Sequence, residues 1–145
     1  MHAKLRTTLA VIIASSALLM LGTLLLPWTV WDSGYGTVTV YGWNAVGPTT
    51  LLLGLVALAL AVPIARSSPR VGWPIGAMCL FVVALFLSGY HIATVPSSAP
   101  GRGAFSAGFG VWLCLAASII GAAAGLSVWR SLSDRGVSLA TPPDA

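Results

Sequence analysis

Four stretches without a single Asp, Glu, Lys or Arg, at about residues 7–27, 46–65, 71–91 and 108–129, constrain this chain more than anything else in it. Each holds about 20 residues, and at a helical rise of 1.5 Å per residue that length matches the ~30 Å hydrocarbon core of a bilayer. Inside lipid there is no water to bond backbone N–H and C=O groups, so each stretch must satisfy them internally, as a helix. The reading is an all-α membrane protein. A single four-transmembrane-helix bundle occupies residues 1–130, with a short extracytoplasmic β-hairpin between helices 1 and 2, and residues 131–145 form a disordered cytoplasmic tail.

Composition points the same way. Of the 145 residues, 57% are hydrophobic and 7% charged, whereas a soluble domain carries about 25% charged residues. The net charge of +4 does not read as nucleic-acid binding, because the basic residues stand in small groups between apolar runs. Lys4 and Arg6, Arg66 and Arg70, and Arg130 and Arg135 fall on one side of a four-span chain, and Arg102 alone falls on the other. Basic residues are retained in the cytoplasm, so both termini are expected there, in a multi-pass plasma-membrane protein. The first stretch begins like a signal peptide. It is longer than the roughly 7–15-residue core of one, however, and Leu25-Leu26-Pro27-Trp28 offers no small-residue cleavage site, so a retained helix is expected.

Local signals refine the elements. Pro48 suits a first helical turn, and Pro63 bends or ends the second helix before Arg66. The short connection to the third helix makes the two antiparallel neighbours. Cys79 and Cys114 lie in apolar runs and read as small packing residues, with no disulfide or metal framework. In the first outer segment, Asp32-Ser33-Gly34-Tyr35-Gly36 supplies turn residues and Thr37 to Tyr41 alternates β-formers, which gives the hairpin. The second outer segment, Ile92 to Ala107, holds Pro96, Pro100, Gly101 and Gly103 and is expected to be an irregular connector.

Trp28, Trp31, Trp43 and Trp112 fall at the expected outer boundary and Trp73 and Trp129 at the inner one, as interfacial anchors. Small residues let membrane helices approach closely, so Gly121 with Gly125 and Gly72 with Gly76 mark packing faces, either inside the bundle or toward a partner or second copy.

Chemistry is sparse. Asp32, Tyr35, His91 and Arg102 can gather into one outer polar cluster, yet one His and one Asp make a weak acid/base or metal pair. No phosphate loop, nucleophile elbow, zinc-protease helix or dinucleotide fingerprint is present, and no cofactor is expected. Asp, Glu, Lys and Arg, whose presence within a bundle is the usual mark of ion-coupled transport, are missing from the four stretches. Three function classes stay open. One is a non-catalytic interaction or assembly protein, whose partner is another membrane or envelope protein or itself. A second is a subunit of a small-molecule or lipid transporter or channel. The third is an enzyme built on the outer cluster.

Leu26-Pro27-Trp28, Tyr41-Gly42-Trp43 and Gly108-Phe109-Gly110-Val111-Trp112, in an Ala-, Gly- and Val-rich chain, resemble the small four-span membrane proteins of actinobacteria, including mycobacteria. That resemblance implies an architecture and no activity. A looser similarity is to the claudin type of four-helix protein, through Trp28 and Gly42-Trp43. The Leu and the two loop cysteines of that pattern are absent here.

Overall fold

The structure, a computed structural model, describes residues 2–32, 35–44, 47–65, 72–95 and 104–133. Four helices appear, α1 (His2–Leu24), α2 (Gly47–Ala65), α3 (Gly72–Thr94) and α4 (Phe109–Ser133), with strands β1 (Pro27–Asp32), β2 (Thr37–Tyr41) and β3 (Ala104–Ala107). A short 3-10 turn, Gly42–Asn44, leads from β2 to α2.

Residue pairings give each helix its direction. Thr23 of α1 meets Thr50 of α2, while Gly54, further along α2, lies against Ser16 and Met20. Cys114 of α4 reaches back to Leu19 of α1. Gly121 and Gly125 of α4 face Phe81 and Met78 of α3. Consecutive helices are therefore antiparallel and α4 returns to α1, an up-down-up-down bundle. Short connections between adjacent elements favour this arrangement.

The distribution of side chains departs from that of a water-soluble bundle at the surface, which is largely apolar. Many buried positions hold small residues, Ala57, Ala61, Ala77, Ala84, Ala117 and Ala124 with Ser15, Ser16, Thr23, Thr50, Ser88 and Ser118, packed beside Ile12, Leu19, Trp28, Phe81 and Val111. Large apolar side chains such as Leu52, Leu55, Val83, Phe86, Ile119 and Ile120 point outward. A monomer in water rarely exposes so much contiguous apolar surface. Against lipid, Leu and Phe gain nothing by turning inward, and small residues in the interior let backbones pack closely. Arg6–Leu24, Gly72–Thr94 and Phe109–Ser133 are each long and apolar enough to cross a membrane, and the apolar part of α2, Gly47–Val62, is shorter.

Buried hydroxyls are mostly satisfied by their own helices. Ser16 donates to the Ile12 carbonyl at 2.9 Å and Ser118 to that of Cys114 at 2.7 Å. Such back-bonding removes the cost of an unpaired polar group in an apolar interior. Thr23 does more: it donates to Leu19 O at 2.8 Å and lies 3.0 Å from the Thr50 hydroxyl, joining α1 to α2. A cross-helix bond of this kind contributes about 0.6 kcal/mol.

Several boundaries differ from the sequence expectation. α1 starts at His2 and stops at Leu24, because Pro27 opens a strand instead of closing the helix. α4 continues past Trp129 to Ser133, into the segment read as tail; residues 134–145 lie outside the described residues. The expected hairpin is present, with Asp32 opposite Thr37 and Val30 opposite Thr39. It is not the whole of the sheet. Ala104–Ala107, read as irregular connector, pairs antiparallel with the other edge of β1, giving the order β2-β1-β3. A two-stranded hairpin is marginal in water, and a third strand beside β1 gives that strand partners on both edges.

Candidate functional site

The sheet closes the end of the bundle where α1 and α3 finish and α2 and α4 begin, and Trp28 is its centre. Pairing along β1 is regular from Thr29 to Asp32, but between Pro27 and Thr29 the register shifts. Trp28 is thus the extra residue of a β-bulge, a device that re-aims a side chain out of the normal alternation. Its indole turns into the bundle and is fully buried. There Nε1 donates to the Gly22 carbonyl at 3.0 Å, while the Gly108 amide donates to the Trp28 carbonyl at 2.7 Å.

Glycine surrounds this indole for a steric reason. A Cβ on Gly42 would come within 2.5 Å of Trp28 Nε1, and one on Gly108 would overlap the carbonyl of Pro27. One on Gly22 would stand 2.7 Å from Cys114 Sγ. Each glycine is the space that lets a neighbour approach.

His91, near the end of α3, meets the same bulge. Its Nε2 shares a 3.0 Å hydrogen bond with Thr29 Oγ1, and its ring stands edge-on to Trp28 with centroids 5.2 Å apart. Edge-to-face contact suits the negative face of an indole. The imidazole therefore works as a strut between α3 and β1.

That placement separates two members of the outer polar cluster expected from sequence, His91 and Asp32. His91 is engaged with Thr29 and Trp28, whereas Asp32 sits at the far, exposed end of β1, three residues or ~10 Å from Thr29. Tyr35 is fully exposed beyond it. Arg102 lies outside the described residues. Among the described residues, no group of three or more His, Cys, Asp or Glu side chains is placed to hold a metal ion.

The anchoring tryptophans divide as well. Trp112 near the sheet end, with Trp73 and Trp129 at the opposite end, is exposed at the bundle surface, where an interfacial ring belongs. Trp31 is half-buried in β1, its backbone opposite Val38 and Phe105. Trp43 stands in the 3-10 turn, and its side chain lies outside the described residues. Trp28 departs from the anchor reading, because the bulge buries it beneath the sheet and its N–H is taken by a backbone carbonyl.

The glycine faces also separate. A Cβ on Gly121 would stand 2.5 Å from the Phe81 ring and one on Gly125 3.0 Å from Met78 Cβ, so both serve the α3–α4 contact inside the bundle. Gly76 is 3.4 Å from Leu60 by the same construction, and Gly72 faces open space.

Sequence reasoning missed Gly22, Gly42 and Gly108 as the seat of Trp28, and Thr29 as the partner of His91. The signal available was Leu26-Pro27-Trp28 itself. A Pro before a Trp at the mouth of a strand is a place where regular pairing breaks. The chain was compared with protein-family models, curated proteins and solved structures, and none matches.

Proposed function

We propose that this chain is an integral plasma-membrane protein of four spans, a non-catalytic interaction or assembly component of the cell envelope that meets its partner through the sheet at its outer end. The observation that supports this reading is the bundle surface, where large apolar side chains such as Leu52, Leu55, Phe86, Ile119 and Ile120 are exposed while Ala, Ser, Thr and Gly take many of the interior positions beside a few large residues such as Leu19 and Phe81. It makes lipid the solvent, and α2, packed along both α1 and α3, crosses with them. Its 19 residues give about 28 Å of helix, enough for the hydrocarbon core. The six grouped basic residues adjoin the helix ends away from the sheet, and this positive-inside pattern supports a sheet outside and both termini in the cytoplasm.

The interaction reading draws on the sheet. β2 is an edge strand with four of its five residues exposed, and it carries neither a charge nor a proline. Natural edge strands are normally blunted by one of these, and an unblunted edge is a template for an added strand. A photoreactive amino acid in place of Val38, activated in living cells, is expected to give one discrete cross-linked protein species, either a second copy or a different envelope protein. The same group in place of Leu55, on the lipid face of α2, is expected to give lipid adducts alone. If the Val38 position yields only lipid or a diffuse smear, the sheet is not the contact.

A further inference from the structure

β1 lies along one edge of β2, and among the described residues nothing pairs with the other edge. The strand reads Thr37, Val38, Thr39, Val40 and Tyr41, all exposed except the half-buried Val40. Every second residue of such a strand turns its N–H and C=O away from β1, toward water or a further strand.

The register divides the sheet into two faces, because residues directly opposite one another share a face. Thr29, Val40 and Ala107 lie on one face with Trp31 and Val38; Val30, Thr39 and Ser106 lie on the other with Asp32 and Thr37. The first face is turned to the bundle, since Thr29 Oγ1 bonds His91 Nε2 of α3 there. The second carries the exposed hydroxyls of Thr37, Thr39 and Ser106. The sheet is therefore amphipathic and lies across the bundle end, with its perpendicular along the helices and so along the membrane normal.

This placement restricts what can be added to β2. An incoming strand must stand at the same height above the bilayer and keep its apolar residues on the bilayer side. A second β2 meets both conditions. Two chains inserted the same way are related by rotation about the membrane normal, and a two-fold rotation sets a strand lying across the axis antiparallel to its copy, each face kept on its own side. β2 has no charged residue, so its copy meets no like charge across the seam.

We propose that the chain forms a two-fold dimer by antiparallel pairing of β2 with β2 of a second copy, centred on Thr39, so that the two sheets become one in the order β3-β1-β2-β2-β1-β3. Centring on Thr39 uses the whole strand. Thr39 meets its own copy, Val38 meets Val40 of the second copy and Thr37 meets Tyr41 of the second copy, every pair on matching faces. Opposed threonines are a favourable cross-strand pair. The proposal rests on the reading of β2 as the contact edge, and the first step of its test separates the two.

The test uses the full chain in its own membrane, expressed as two differently tagged copies. A photoreactive group in place of Val38 is expected to give a product of twice the chain's mass that carries both tags. A discrete product with a different protein would overturn self-pairing and leave β2 as the contact edge, whereas lipid adducts alone would remove the contact edge itself. Cysteine cross-linking then reads the register, in a Cys79→Ala chain because Cys79 is exposed. Thr39→Cys sets two thiols opposite each other on the axis, within disulfide reach. Thr37→Cys, on the same exposed face, holds them about 13 Å apart along the seam, at ~3.3 Å per residue. Oxidative dimer formation is expected to be about tenfold or more faster at position 39, and equal rates would overturn the seam. Thr39→Lys and Thr39→Asp should each abolish co-purification of the two tags, because like charges then stand directly opposite. One tagged copy carrying Lys and the other Asp should restore it. A mixed pair that restores nothing would overturn the two-fold seam at Thr39.

Discussion

Gly121 and Gly72 look alike in the sequence, each opening a Gly-x-x-x-Gly spacing, and they have opposite roles in the fold. Gly121 lets the Phe81 ring lie against α4, and Phe81 is itself fully enclosed and cannot turn away. Overpacking a closed interior by one methyl costs about 1–3 kcal/mol. Gly121→Ala is therefore expected to lower unfolding stability in mild detergent by that amount, and Phe81→Leu in the same chain should recover part of it, because the two sites share one contact. Gly72→Ala meets nothing within 4 Å and should be neutral, or stabilising by up to about 1 kcal/mol through helix propensity. Equal losses in the two alanine variants, followed by denaturant or thermal unfolding, would contradict the packing described. The pattern of small residues was legible in the sequence. Which of them face a neighbour was not, since that depends on the rotation of each helix about its own axis, and uniformly apolar helices carry no polar stripe to reveal it.

Among the elements, the helices were legible because an apolar run of fixed length between basic groups has one physical solution in a bilayer. The β1–β2 hairpin was legible too, from β-branched alternation flanking Asp32 to Gly36. β3 was not, since Ala104-Phe105-Ser106-Ala107 has no β-branched residue and gains strand geometry only from the free edge of β1. Gly108 makes that pairing possible. Its amide bonds to the Trp28 carbonyl, and any side chain there would strike the carbonyl of Pro27. Gly108→Ala should push β3 off β1 while leaving the Thr23–Thr50 contact between α1 and α2 untouched. Hydrogen exchange is expected to quicken at the β1 amides that face β3 by at least tenfold, corresponding to loss of more than about 1.4 kcal/mol of local protection. Unchanged exchange along β1 would mean that the strand junction tolerates a side chain and that β3 is held by something else.

At the scale of the whole molecule, the bundle geometry and the charge pattern are two separate sources that converge. The residue pairings bring the start of α1, the end of α2, the start of α3 and the end of α4 to one end, wherever the membrane lies. Lys4 and Arg6, Arg66 and Arg70, and Arg130 and Arg135 adjoin those four helix ends. Arg102 belongs to the segment joining α3 to β3, at the sheet end. A bundle that inserts with its basic end inward puts the sheet outside, and the bias is shared among three segments, so it should be robust to losing any one of them. Neutralising Lys4 and Arg6 alone is expected to leave a cytoplasm-only fluorescent reporter after Ala145 bright. A phosphatase active only outside the cytoplasm should be active when inserted after Pro100 and inactive after Ala145. Neutralising Arg66 and Arg70 as well, while changing Ser97 and Ser98 to Lys, reduces the excess from six against one to two against three. That chain should insert in mixed orientation, with both reporters partly active at both sites. Phosphatase activity after Ala145 in the unaltered protein would place the sheet in the cytoplasm, and the exposed β2 edge would then face the cell interior.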